Sequence, residues 1–178
     1  MKSLTGWSHH PLTSFSEHQI RWLFAPGSLT TQLKVLGDYS LELLDQRQCA
    51  STIYDAHALS LASGTPIWVR EVLMRLNGLS CVTARSITPV ETLEDNWKAL
   101  AEYGICPLGD ILYCDSTVSR TPFECAQLQA DDPLEPLTRN LGIKATELLA
   151  RRSCFIRNGS RLLVNECFLP DFWDRFAK

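Results

Sequence analysis

The fold is decided by the stretch IWVREVLMRLNGLSCVTARSI, residues 67–87. Apolar side chains alternate with others on both sides of Asn77-Gly78. This dipeptide suits a two-residue hairpin turn, because both central positions need positive φ, which Asn tolerates and Gly adopts freely. The stretch therefore predicts two antiparallel strands, over residues 67–76 and 79–87.

A second Asn-Gly dipeptide, Asn158-Gly159, lies between two further runs of strand-like sequence. It predicts a second hairpin, with strands over residues 151–157 and 160–169. The two dipeptides are the only internal similarity that we recognise in the chain.

Each hairpin places one lone charge on its more apolar face. Because side chains alternate along a strand, Arg70 shares a face with Trp68, Val72, Met74 and Leu76. In the second hairpin, Glu166 shares a face with three apolar residues: Leu162, Val164 and Phe168. The two lone charges are therefore opposite in sign.

Helix signals precede the first hairpin. A helix is predicted from Ser14 or Ser16 up to the break at Pro26-Gly27. Ser28 is predicted to cap a second helix, Leu29–Leu36, that stops at Gly37.

Helix signals also follow the first hairpin. The sequence Thr88-Pro89-Val90-Glu91 combines a hydroxyl N-cap, a proline at the first helical position and a glutamate three residues after the cap. It predicts a helix to about Tyr103, ended by Gly104. Further along, we expect strands over residues 116–120 and 123–128, a loop over 131–136 and marginal helical character over 137–149.

Hairpin-connected strands with helices in separate blocks, and no regular βαβ alternation, predict an α+β fold built on a single antiparallel β-sheet with flanking helices. A length of 178 residues with 45% hydrophobic content is most simply one domain, residues 1–178. The net charge, the length of apolar runs and the cysteine content bear on binding partners and cellular location.

The net charge of −3 and the scattered basic residues form no stripe that would hold a phosphate backbone, so we expect no nucleic-acid partner. No apolar run approaches the roughly 20 residues that span a bilayer. Seven cysteines without a C-x-x-C pair are expected to be reduced. We predict a cytoplasmic protein that is not membrane-embedded and is a monomer.

Familiar catalytic motifs are missing. We find no glycine-rich phosphate loop, no G-x-S-x-G turn and no H-E-x-x-H. The four histidines lie in the N-terminal third and have no cysteine partners at zinc-ligand spacing, so we expect no metal and no cofactor.

Two interpretations of Arg70 and Glu166 remain open at this point. The first is a structural ion pair across the sheet, since burying either charge alone costs several kcal/mol. The second is a pair of ligand-binding groups at opposite ends of an apolar pocket, where the guanidinium grips a carboxylate and the carboxylate meets a hydroxyl or takes a proton.

A family resemblance favours the second interpretation. Six stretches resemble, in order and at similar separations, the chorismate pyruvate-lyase family; they are residues 68–73 (WVREVL), 84–93 (ARSITPVETL), 107–109 (PLG), 116–120 (STVSR), 151–153 (RRS) and 165–170 (NECFLP). The resemblance extends from about residue 23 to residue 170 and is poor over 49–63. It implies a sheet with a ligand enclosed under helical flaps, and a lyase that converts chorismate to 4-hydroxybenzoate and pyruvate in ubiquinone biosynthesis.

The resemblance also implies roles for individual residues. Arg70 matches the arginine that binds the ring carboxylate, and Glu166 matches the glutamate at the hydroxyl end. Leu108 matches a leucine whose backbone lines the site. Leu29 stands where better-known members have methionine, a departure that matters little if the contact there is made through the main chain. Arg85 resembles a family arginine on the neighbouring strand and is assigned as a partner for the second carboxylate of chorismate, with a solvated strand charge as the alternative.

The implied reaction is chemically consistent with the missing motifs, because chorismate and the two products contain the same atoms and aromatisation supplies the driving force. The rival interpretation is a non-catalytic sensor or carrier of aromatic acids, since the fold also resembles the effector-binding half of some bacterial transcription regulators. Only about sixty residues precede the first hairpin, which is short for an added DNA-binding module.

Overall fold

The computed structural model describes residues 6–102 and 106–177. The described strands form one antiparallel sheet in the order β1-β2-β3-β7-β6-β4, and β5 also pairs with β6. This confirms the predicted sheet. The strands are β1 (Tyr39–Ala50), β2 (Pro66–Leu76), β3 (Leu79–Pro89), β4 (Ser119–Arg120), β5 (Glu124–Gln127), β6 (Leu149–Arg157) and β7 (Ser160–Phe168).

Both predicted hairpins are present. Asn77 and Gly78 have φ values of 50° and 79°, and Asn158 and Gly159 have values of 49° and 80°, as a turn with two left-handed residues requires. β3 of the first hairpin pairs with β7 of the second, so the two hairpins lie side by side in the centre of the sheet.

The first hairpin contains a β-bulge. Arg75 pairs with Ser80, but the next pair joins Met74 to Val82, so Cys81 is an extra residue in β3. Every pair beyond the bulge is therefore shifted by one residue relative to the turn. The second hairpin has a continuous register from its turn to its far end.

The helical elements are α1 (Glu17–Leu23), α2 (Leu29–Leu36), α3 (Ile53–Leu59), α4 (Val90–Thr92), a π-helical turn (Leu93–Trp97), α5 (Lys98–Glu102), α6 (Leu108–Leu112), α7 (Leu134–Asn140) and α8 (Pro170–Arg175). The first two agree with the sequence. Ser16 and Gln19 form a capping box at the start of α1. The side chain of Ser28 accepts a hydrogen bond from the backbone of Thr31 at the start of α2, and Gly37 is the C-cap.

The predicted capping box after the first hairpin is wrong. β3 continues to Pro89, which is the N-cap of α4 and makes no side-chain cap hydrogen bond. Thr88 instead donates a 2.8 Å hydrogen bond to the backbone oxygen of Arg161. The helical segment runs through the π-helical turn to Glu102; its predicted end at Tyr103 and Gly104 lies outside the described residues.

The prediction of a loop over 131–136 and helical character over 137–149 is correct for residues 137–140 and wrong in its boundaries. α7 begins at Leu134, inside the predicted loop, because the side chain of Asp132 accepts a hydrogen bond from the Leu134 backbone and so organises the first turn. The helix already ends at Asn140, and β6 starts at Leu149. Tertiary packing and local capping decide these elements, for which periodicity was weak.

Helices pack on both faces of the sheet. On one face, Val72 and Phe168 belong to an apolar cluster that includes residues of α1 and α2, and Trp68 belongs to one that includes residues of the π-helical turn and α6. On the other face, Leu73 and Cys167 cluster with residues of α7, and Val69 and Leu163 cluster with residues of α3. No helix of the described chain has the length and apolar content needed to cross a bilayer. The first face carries both lone charges.

Candidate functional site

A cavity lies between the sheet and the helices that cover its first face. Its empty volume is about 530 Å³, which includes the part that is open to solvent. Apolar side chains form most of the wall, among them those of Val72, Met74, Ala84, Leu112, Phe155 and Val164. Arg70, Arg151 and Glu166 are the charged residues in the described wall.

The strand register brings these charged residues to one face. Arg70 is opposite Ser86 in β3, and Glu166 is opposite Ala84, two residues earlier on the same strand. Directly paired residues share a face, and so do residues two apart. Neighbouring strands lie about 4.8 Å apart, so β2 and β7 are separated by about 10 Å across β3. The two side chains therefore enter the cavity from separate positions.

Arg70 is a buried cation in the cavity wall. The residue is 2% exposed, and its Nη2 donates a 3.0 Å hydrogen bond to the backbone oxygen of Cys106, just before α6. Burial lowers the pKa of Arg70 because it removes water from the charged form. A desolvated guanidinium attracts an anion more strongly than one in water, and its planar N–H groups match both oxygens of a carboxylate.

Glu166 is held by a second arginine that the sequence analysis missed. Nε of Arg151 lies 2.6 Å from Oε2 of Glu166, with side chains 1% and 13% exposed, respectively. The ion pair of Glu166 is thus with Arg151 in the adjacent strand. This partner could have been found, because an uninterrupted two-residue hairpin at Asn158-Gly159 pairs residue 151 with residue 166.

Arg151 is itself fixed on several sides. Nη1 donates hydrogen bonds of 3.1 Å to the backbone oxygens of Trp22 and Ala25, at the end of α1. Its guanidinium carbon lies 4.3 Å from the ring centre of Phe123, another wall residue. The carboxylate of Glu166 is therefore attached to a guanidinium that has little freedom to move.

Leu29 and Leu108 line the cavity as the first residues of α2 and α6. The backbone N–H of a first helical residue has no partner inside its own helix and points outward from the helix start. The two helices meet at Gly109, where an added Cβ would collide with Oγ of Ser28.

The structure does not bring Arg85 to the cavity. It lies between Ala84 and Ser86 in β3, so its side chain is on the opposite face, where it pairs with Asp55 and Glu71. The bulge explains the difference: a regular hairpin would pair residue 85 with Arg70 and place both on one face, and the extra residue reverses this. Arg85 lies outside the described cavity wall and is a buried, ion-paired charge rather than a solvated one.

The fold and the site together define an α+β domain with a cation and an ion-paired carboxylate in the wall of one largely apolar cavity. The family model described as "Chorismate lyase" matches residues 3–178. The chain therefore belongs to the chorismate lyase family.

Curated relatives agree with this. The chain is 53% identical, over 178 residues, to probable chorismate pyruvate-lyase 1 of Burkholderia pseudomallei (strain 1710b), covering 100% of this chain and 97% of the relative. It is 48% identical over 169 residues to the protein of that name in Pseudomonas fluorescens (strain Pf0-1), covering 95% and 91%.

Solved structures share the fold at low identity. The C-terminal domain of PhnF has a TM-score of 0.58 and 20% identity, covering 82% of this chain and 89% of that domain. The effector domain of PhnF from Mycobacterium smegmatis has a TM-score of 0.54 and 14% identity, covering 82% and 90%. A GntR-family transcriptional regulator from Bacillus cereus has a TM-score of 0.52 and 10% identity, covering 76% and 94%.

Proposed function

We propose that this protein is a chorismate pyruvate-lyase, which eliminates pyruvate from chorismate and leaves 4-hydroxybenzoate for ubiquinone biosynthesis. The observation that carries the proposal is the presence of Arg70 and Glu166 in the wall of one apolar cavity, in a chain of the chorismate lyase family. A cytoplasmic location, a single domain over residues 1–178, a monomeric state and independence of metals and cofactors belong to the same proposal.

In the proposed complex, the ring carboxylate of chorismate lies against Arg70. The hydrogen bond from Arg70 to Cys106 places this guanidinium beside the start of α6. A carboxylate bound there is close to the backbone N–H of Leu108, and Leu29 offers a second backbone N–H from the start of α2. The guanidinium of Arg70 and these backbone N–H groups then hold the carboxylate end of the ring.

Glu166 receives the ring hydroxyl at the other end. A carboxylate accepts a short, charge-assisted hydrogen bond from a hydroxyl, and this fixes the rotation of the ring about the Arg70 contact. In the proposed reaction, Glu166 also assists removal of the adjacent ring proton while the enolpyruvyl group departs. The reaction needs a fixed reactive pose more than added reagents, since positioning and fixed dipoles lower a barrier substantially.

The direct test is to add chorismate to the purified protein and to measure both products. We expect 4-hydroxybenzoate and pyruvate to appear in equal amounts, because the substrate divides into these two molecules. Binding of 4-hydroxybenzoate without turnover would instead support the sensor or carrier. The structural likeness to transcription regulators concerns the fold alone, whereas the curated relatives at 53% and 48% identity carry the lyase name.

A further inference from the structure

The contact between Arg151 and Glu166 has a chemical consequence for ligand choice. Arg151 engages only Oε2 of Glu166, and Oε1 forms no hydrogen bond with the described residues. The contact is an ion pair, with the guanidinium as cation and the carboxylate as anion. Glu166 therefore offers the cavity an oxygen that accepts a hydrogen bond and repels a second negative charge.

The positive charge of Arg151 is paired with the carboxylate of Glu166. Its guanidinium is bound to Glu166, to the backbone oxygens of Trp22 and Ala25, and to the ring of Phe123. The two cavity arginines are therefore not equivalent. Arg70 donates a hydrogen bond to the backbone oxygen of Cys106 beside α6, and Arg151 is paired with a carboxylate from the neighbouring strand. The carboxylate in the described wall is therefore held at the position where Arg151 lies, across β3 from Arg70.

We propose that Arg151 is the positioning residue for Glu166, and that the pair makes the cavity select a benzoate-like ring with a hydrogen-bond-donating hydroxyl para to its carboxylate and reject a para-dicarboxylate. The proposal rests on the proposed function for the identity of the ring. It adds a specificity determinant for that reaction.

The test measures binding of three probes by calorimetry with the full chain: 4-hydroxybenzoate, benzoate and terephthalate. We expect the wild-type protein to bind 4-hydroxybenzoate at least about tenfold more tightly than benzoate, as fits a hydrogen bond to a charged group. In Arg151→Gln, this preference should fall below about threefold, while the affinity for benzoate stays within about threefold because Arg70 remains. Arg151→Lys, which keeps the charge, should restore part of the preference.

Arg152→Gln is the matched control. Arg152 is the next residue on the same strand, but it faces the other side of the sheet, where it pairs with Glu124 at 2.8 Å and lies 4.5 Å from the ring centre of Trp7. The same substitution there removes a comparable ion pair and should leave the preference for 4-hydroxybenzoate unchanged. A merely structural effect of losing an ion pair would appear in both variants.

Glu166→Gln tests the other half of the proposal. Its amide oxygen can still accept from Arg151, but the negative charge is gone and the charge of Arg151 is no longer compensated. We expect terephthalate to bind at least about tenfold more tightly than it does to the wild type. This variant also decides the matter if Arg151→Gln does not fold.

An unchanged preference for 4-hydroxybenzoate in folded Arg151→Gln, or no gain in terephthalate binding by Glu166→Gln, would overturn the inference. A wild-type protein with no preference over benzoate would overturn it as well. Failure of the proposed function is a separate result: the wild type would show the ligand preference and yet release no pyruvate from chorismate.

Discussion

Arg85 donates two hydrogen bonds to Asp55, from Nη1 at 2.5 Å and from Nη2 at 3.1 Å, on the sheet face opposite the cavity. The two side chains are 5% and 4% exposed. Nε of Arg85 also lies 3.4 Å from Glu71, and Arg47 pairs with Glu71 from β1. In this cluster, two arginines are paired with two carboxylates. Because Asp55 belongs to α3, the cluster also links α3 to the sheet.

Replacing Arg85 should therefore damage stability and leave ligand binding intact. Arg85→Met leaves Asp55 as a buried, uncompensated charge, so we expect the free energy of unfolding to fall by about 3–5 kcal/mol. Denaturant unfolding measures this loss. The double variant Arg85→Met/Asp55→Leu should recover much of it, because no buried charge is then unpaired. A folded Arg85→Met protein with weakened affinity for 4-hydroxybenzoate would contradict this role.

Replacing Arg70 should damage catalysis more than stability. Arg70→Ala removes the proposed fork for the ring carboxylate, and two hydrogen bonds to a charged group correspond to a loss of at least about 100-fold in kcat/KM for chorismate. Arg75→Ala is the control on the same strand; Arg75 is 34% exposed, pairs with Glu42 and should tolerate the change. Turnover is followed through 4-hydroxybenzoate absorbance, and an Arg70→Ala enzyme as active as the wild type would end the anchor assignment.

Glu166→Gln separates proton transfer from orientation. The amide cannot accept a proton at neutral pH, but its shape is nearly unchanged. We expect turnover to fall by at least about 100-fold, whereas affinity for 4-hydroxybenzoate should fall only by about tenfold, the contribution of the hydrogen bond to a charged group. Single-turnover kinetics and calorimetry measure the two quantities. If both fall together, Glu166 only orients the ring.

The position of each lone charge could be predicted wherever register follows directly from a turn. The faces of Arg70 and Glu166 follow from alternation along one strand, and both are confirmed. Predicting whether Arg85 shares a face with Arg70 required the pairing between β2 and β3. The bulge at Cys81 shifts this pairing by one residue. Nothing in the local sequence marks a bulge there, because Ser80, Cys81 and Val82 are all compatible with a regular strand.

The cover of the cavity was harder to predict. α2 could be located because Ser28 and Gly37 mark both of its ends. α6 has only five residues, and its N-cap, Pro107, makes no side-chain hydrogen bond. Such a short helix is stabilised by packing against its neighbours and not by its own propensity. The family resemblance, which includes Pro107-Leu108-Gly109, was therefore the better guide to this part of the site.

The close approach of α2 and α6 gives a prediction at Gly109. In Gly109→Ala, the new Cβ collides with Oγ of Ser28 and lies 3.3 Å from Oγ1 of Thr30, so either the Ser28 side chain leaves its capping position or the two helices separate. We expect a lower Tm and weaker binding of 4-hydroxybenzoate. In a Ser28→Ala background the same change should cost less, although Ser28→Ala itself removes a helix cap worth about 1 kcal/mol. Thermal unfolding of the four proteins measures the coupling, and strictly additive losses would show that the contact is not the cause.

Tyr39, at the start of β1, makes the free energy of unfolding depend on pH in the alkaline range. Burial raises the pKa of its phenol from 10.0 to about 12. The unfolded chain therefore loses this proton first, and the contribution of Tyr39, complete below pH 10, disappears as the pH rises toward 12. The wild type should lose unfolding free energy over this range, with buried cysteines such as Cys167 adding to the loss. Tyr39→Phe should lose less, as urea unfolding at pH 9, 10 and 11 would show. Parallel curves for the two proteins would mean that Tyr39 titrates normally.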